Sequence, residues 1–116
     1  MLQNSTFFVN GSRVGVGTAT PETSLHVLTS DTASTSGQEV LRLSAATTAA
    51  TVGSGPRIIF TDSDGTGQAA ALRAYTFSSS ATGLAFETGF NALGVRMVIN
   101  NAGNVGINTT SPRQKH

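Results

Sequence analysis

Few residues of this chain are of the kinds that do chemistry. Proton transfer and nucleophilic attack need a base, an acid or an activated nucleophile held in one place, and the 116 residues include two histidines, six carboxylates and no cysteine. His26 lies inside the apolar run Leu25-His26-Val27 and His116 at the last position, so neither has a neighbour in sequence that would make it a general base. Ser54 stands in Gly53-Ser54-Gly55, which lacks the flanking glycine spacing of a nucleophile elbow. Asp62-Ser63-Asp64-Gly65-Thr66-Gly67 opens like a calcium loop, with alternating oxygen side chains and a glycine turn. The bidentate glutamate that would close such a loop is missing, and the stretch reads as a hairpin turn centred on Asp64-Gly65. Gly15-Val16-Gly17 has neither the third glycine nor the following helix of a dinucleotide loop. The expectation is a protein that is no enzyme, with no catalytic residue, no metal and no cofactor.

Charge narrows the binding chemistry. The formal charge is +1, and nucleic acid is bound through clustered lysines and arginines that displace counterions. Here Arg42, Arg57, Arg73 and Arg96 stand singly in apolar stretches, and Arg113 with Lys115 makes only a short basic end. Nucleic acid is therefore not an expected partner. The start, Met1 to Val9, has neither a basic beginning nor an apolar run of signal-peptide length, and no stretch approaches membrane-span length. Without an export address, Asn4-Ser5-Thr6, Asn10-Gly11-Ser12 and Asn108-Thr109-Thr110 read as accidental matches to the glycosylation pattern. A soluble product with no membrane insertion is expected.

The elements that would position any site are short. Runs of β type alternate with turn clusters, and no helical period extends over a useful length. The runs are Ser24–Leu28, Glu39–Leu43, Arg57–Thr61, Ala71–Phe77, Leu84–Thr88 and Val95–Ile99. Gly, Ser, Thr, Asn and Asp fill the segments between them and satisfy turn geometry locally. Four runs are joined by about six residues, which predicts antiparallel returns in a meander. Ile58 and Phe60 then share one face, and Met97 and Ile99 share another. Ala45–Ser54 fits a short helical turn or an extended edge equally well. The fold expected is all-β: an antiparallel, sandwich-like meander forming one domain over 1–116.

One segment returns. Arg13-Val14-Gly15-Val16-Gly17-Thr18-Ala19-Thr20-Pro21 recurs as Asn104-Val105-Gly106-Ile107-Asn108-Thr109-Thr110-Ser111-Pro112, with Val14 and Val105 lying 91 positions apart. In each copy two aliphatic residues spaced by two point to one side, and the glycine between them allows close backbone approach. Hydroxyl side chains then bond locally to the backbone, and the proline ends the pairing. Each copy predicts a small strand that runs into a fixed corner. The first repeat segment covers 10–28, the strand meander 38–100 and the second repeat segment 101–112.

Both copies resemble the Gly-Asn-Val-Gly-Ile-Gly-Thr-Thr-Ser-Pro segment, followed by Lys-Leu-x-Val, of bacteriophage tail-fibre and related virion-fibre proteins. The first copy continues into Leu25-His26-Val27, and the second is approached by Val95-Arg96-Met97-Val98-Ile99-Asn100-Asn101-Ala102-Gly103, similar to that family's Arg-Met pair, apolar strand and glycine turn. Asn108 stands where the family has its second glycine. The resemblance implies a virion structural protein, assembled in the host cytoplasm as an intertwined or packed homotrimer with other virion proteins as partners. The reading is a tail-fibre or spike module that displays loops toward a host-surface glycan or protein, with Tyr75, Phe77, Phe90 and Asn91 as the contacts. The alternative is a trimeric capsid decoration protein that stabilises the head. Composition agrees with burial between chains: Val, Leu, Ile and Phe make up about 23% of the residues, and Gly, Ala, Ser and Thr about half. A lone copy would have a thin core, and joining three such cores covers open sheet edges.

Overall fold

A computed structural model describes residues 6–30, 37–45, 51–62, 64–65 and 67–113. The described strands are β1 (Phe7–Asn10), β2 (Arg13–Val16), β3 (Leu25–Val27), β4 (Arg57–Thr61), β5 (Gln68–Ser78), β6 (Ala81–Gly89), β7 (Leu93–Ile99) and β8 (Val105–Ile107). The all-β expectation holds: no helix occurs among the described residues, and so none that could cross a membrane. The chain divides into two compact units, 1–42 and 43–116, where the sequence reading places one domain. Each unit completes its own hydrogen-bonded sheet.

In the first unit the order is β1-β2-β3. β1 is a strand that the runs read from sequence omit. It pairs antiparallel with β2 through a two-residue turn, Asn10 facing Arg13 across Gly11-Ser12, and a glycine at the first turn position suits such a hairpin. β3 corrects the antiparallel expectation, because it runs parallel to β2 in the register Val14 to Leu25 and Val16 to Val27. The corner at 17–24 carries the chain across the end of β2, so β3 enters in the same direction. The expected strand at Glu39–Leu43 is also corrected. Residues 37–45 belong to no strand and are exposed throughout, because no sheet edge within the described residues takes them up.

The second unit is the meander foreseen from the short connections. Its strands pair consecutively and antiparallel in the order β4-β5-β6-β7-β8. Before β4, residues 53–56 prolong the edge of β5: Gly53 N–H donates to the Thr76 carbonyl at 2.8 Å, Thr76 N–H to the Ser54 carbonyl at 3.1 Å and Ala74 N–H to the Pro56 carbonyl at 3.0 Å. From Thr51 on, the described part of Ala45–Ser54 is a turn, Ser54 N–H donating to the Thr51 carbonyl at 2.9 Å, that leads into this edge, and 46–50 lie outside the described residues.

Register places the core on one face of this sheet. Arg57, Arg73, Ala85, Val98 and Gly106 oppose one another strand by strand, and Ala85 and Val98 are fully buried with Tyr75 beside them at 7% exposure. Phe77 and Val95 pack against that cluster. The opposite face carries a second row across all five strands, Ile58, Leu72, Phe86, Met97 and Ile107. Ile58 and Phe60 thus share one and the same face with Met97 and Ile99, joined by Leu84 and Val105.

Candidate functional site

The two copies of the repeated segment fold alike. Gly15 opposes Phe8 and Gly106 opposes Val98. Gly17 N–H donates to the Thr6 carbonyl at 2.6 Å, and Asn108 N–H to the Arg96 carbonyl at 2.7 Å. Thr18 Oγ1 accepts from Thr20 N–H at 3.2 Å, and Thr109 Oγ1 from Ser111 N–H at the same distance. Gly17 and Asn108 both have positive φ, 79° and 57°. Asparagine is among the few non-glycine residues that visit this region routinely, so Asn108 preserves the corner that Gly17 makes. Gly15 and Gly106 are buried. A Cβ there would lie 2.2 Å from the Thr18 carbonyl oxygen and 2.8 Å from that of Thr109, so the threonine backbone folds back directly over the glycine. Pro21 is buried and Pro112 half-buried, closing each corner.

In the second unit two arginines gather around the buried Glu87. The Glu87 side chain is 2% exposed and pairs with Arg73 through Oε1 and Nη2, while Arg57 Nη1 stands 4.0 Å from Oε2. Arg73 also donates to the Gly53 carbonyl and lies 5.2 Å from the centroid of the Tyr75 ring, within cation–π range. Glu87 Oε2 and Arg73 Nε have no hydrogen-bond partner. The cluster ties the 53–56 edge to the centre of the sheet. Its arginines were legible as single cations in apolar runs, whereas Glu87 escaped notice because Leu84–Thr88 gives no sign of which residues face inward.

The proposed contact residues fall at opposite ends of the sheet. Tyr75 and Phe77 lie near the β5–β6 turn with ring centroids 4.9 Å apart, tilted by 58°, beside Asn100 and Pro112 in an open groove. Asn100 is engaged in the turn, its Oδ1 accepting from Ala102 and Asn104 N–H. Phe90 and Asn91 make the β6–β7 turn, Phe90 79% exposed and Asn91 with φ 62°, next to the start of β5 through Asn91 N–H and the Gln68 carbonyl. These four residues therefore make no single site.

His26, Ser54 and Asp62 are each engaged in a local hydrogen bond. His26 Nδ1 accepts from Glu22 N–H at 3.3 Å, and Ser54 Oγ donates to Thr76 Oγ1 at 3.3 Å. Asp62 holds its loop, accepting from Gly65 N–H at 3.0 Å through its carbonyl and from Gly67 N–H at 3.2 Å through Oδ1. Ser63, Thr66 and His116 lie outside the described residues. Among the described residues no three of His, Cys, Asp and Glu gather as metal ligands.

A further candidate site is the apolar face. Ile58 is 42% exposed, Phe60 54%, Leu84 39% and Ile107 77%, with Leu72, Phe86, Met97 and Ile99 half-buried among them. Arg96, without a register partner in β6 at the irregularity where Phe86 faces Met97 and Glu87 faces Val95, is held at the border by Thr88, to which it donates at 3.2 and 3.3 Å. No family model matches the chain, and no curated protein matches it.

Proposed function

We propose that this chain is a structural module of a bacteriophage virion, a tail-fibre or spike segment that assembles as a homotrimer and performs no catalysis. The observation that carries this reading is the uncharged row Ile58, Leu72, Phe86, Met97 and Ile107 on the open face of the second sheet. At about 4.8 Å per strand such a row is about 19 Å long, and a contiguous apolar surface of that extent is characteristic of an interface. The thin interior points the same way, since Ala71, Tyr75, Ala85 and Val98 are the buried hydrophobic residues of the described chain. Packing this face against other copies adds the apolar burial that one copy lacks. The virion assignment rests on the resemblance of both corners to the fibre segment. The conformational match of Asn108 to Gly17 supports it by accounting for the departure from that pattern.

Light scattering on the purified chain tests assembly: a mass of three chains at micromolar concentration is expected, and a stable monomer would refute it. Immunogold labelling of intact particles tests place. Label on the tail supports the fibre reading, whereas label on the head replaces it with the capsid-decoration alternative. Incubation with host polysaccharide should release no reducing ends; their release would overturn the non-enzymatic reading.

A further inference from the structure

In the first unit the outer edge of β2 is occupied. β3 runs along it in parallel, with Val14 N–H donating to the Ser24 carbonyl and Leu28 N–H donating to the Val16 carbonyl, both at 2.8 Å. In the second unit β8 repeats β2 in sequence, in its inner pairing and in its corner, yet it is the last strand of its sheet. The contrast shows in the side chains: Val16 is half-buried, and its counterpart Ile107 is 77% exposed. Beside β8 lies an open trough of about 670 Å³ lined by Val105, Ile107, Thr109 and Pro112 among others.

The chain also contains a segment with the chemistry of β3 that pairs with no strand among the described residues. Leu41-Arg42-Leu43 repeats the pattern of Leu25-His26-Val27, an aliphatic residue on either side of one that can carry positive charge. Leu41 is 64% exposed and Leu43 47%, and neither belongs to a strand. The boundary between the two units falls between Arg42 and Leu43, where a connecting segment can be lent to a neighbour without dismantling either sheet.

The structure assigns the outer edge of β8 as a docking site for residues 39–43 of a second copy of this chain. The segment adds as a parallel strand, with Leu41 beside Val105 and Leu43 beside Ile107. An open edge offers a row of unpaired N–H and C=O groups, and strand addition satisfies them while alternate side chains set the register. The inference rests on the self-assembly proposed above and specifies which elements the copies exchange.

The chain has no cysteine, so engineered pairs report cleanly. The double variant Leu43→Cys/Ile107→Cys, oxidised at micromolar concentration, should give cross-links between chains on a non-reducing gel. Adding Val105→Pro should reduce them to background. A proline there removes the outward N–H and leaves the pairing of β8 with β7 in place, which circular dichroism checks. Light scattering of the reduced double variant separates the two claims. An assembly of several chains that gives no cross-link, or only a link within one chain, overturns the strand exchange and leaves self-assembly standing. A monomer overturns both. Cross-links that survive Val105→Pro also overturn the assignment, because the pairing would then not run through the β8 edge.

Discussion

At the scale of single residues, two positions show how conformation and burial decide what a side chain is for. Asn108 holds φ 57° at a place where its counterpart is Gly17 at 79°. Asn108→Gly should leave stability within about 1 kcal/mol of the parent, since glycine gains in conformational fit and loses in chain entropy. Asn108→Val should cost about 1–2 kcal/mol, because a β-branched residue is strained in the left-handed region; urea unfolding of the three proteins measures both, and equal midpoints would contradict the corner argument. Glu87 is the opposite case, a carboxylate fixed by its surroundings. Glu87→Ala should cost about 3–5 kcal/mol by leaving Arg73, 14% exposed, without its partner. Arg57→Ala should cost no more than about 1 kcal/mol, because Arg57 stands 4.0 Å away and is 36% exposed. The same urea titration would reject the assignment of Arg73 as the principal partner if the Arg57 variant proved the weaker protein. The corner was legible in the sequence because Gly, Asn and Pro carry local conformational demands. The ion cluster was not, because it depends on the register of β5 against β6 and on an edge segment that returns from outside the meander.

At the scale of elements, the hairpin and corner behave as one unit used twice. In both copies the glycine of the repeated strand lies beneath a threonine backbone, and the approach is tighter at Gly15, where a Cβ would be 2.2 Å from the Thr18 oxygen, than at Gly106, where the distance to the Thr109 oxygen would be 2.8 Å. Gly15→Ala should therefore force the backbone to move and loosen the β2 corner. Gly106→Ala should disturb its own corner less. Amide hydrogen exchange reads the difference locally: faster exchange at Gly17 in the Gly15→Ala variant than at Asn108 in the Gly106→Ala variant is expected, and the reverse order would contradict the argument from clearance. Strand existence was legible from short apolar runs, and the meander of the second unit from connection length. Direction was not always so. β3 is parallel because the corner turns the chain across the sheet end, and Val40–Leu43 is no strand within its own chain although its alternation is as good as that of β3. Alternation reports that a segment suits an edge and leaves open which edge it joins.

At the scale of the whole molecule, the question is why a face so apolar stands open. The inward face of the second sheet carries Tyr75, Ala85 and Val98, with Ala71 and Gly106 beside them, and apart from Tyr75 these side chains are small and enclose little apolar volume. Most of the larger aliphatic and aromatic side chains of β4 to β8 lie on the other face, where a single copy covers them only in part and where they would promote unspecific association if left wet. Charge placed there should act on assembly far more than on folding. Phe60 and Leu84, 54% and 39% exposed, are two positions on this face at which a carboxylate can still reach water in the isolated chain. Phe60→Glu/Leu84→Glu should leave the β-sheet circular dichroism spectrum intact and shift light scattering from the assembled mass to that of one chain. The corresponding pair on the enclosed face, Ala85→Glu/Val98→Glu, should unfold the second unit outright, because both sites are fully buried and an unpaired charge there has no route to solvent. If Phe60→Glu/Leu84→Glu still assembles, the copies meet elsewhere, and the open face would belong to a different protein of the same particle.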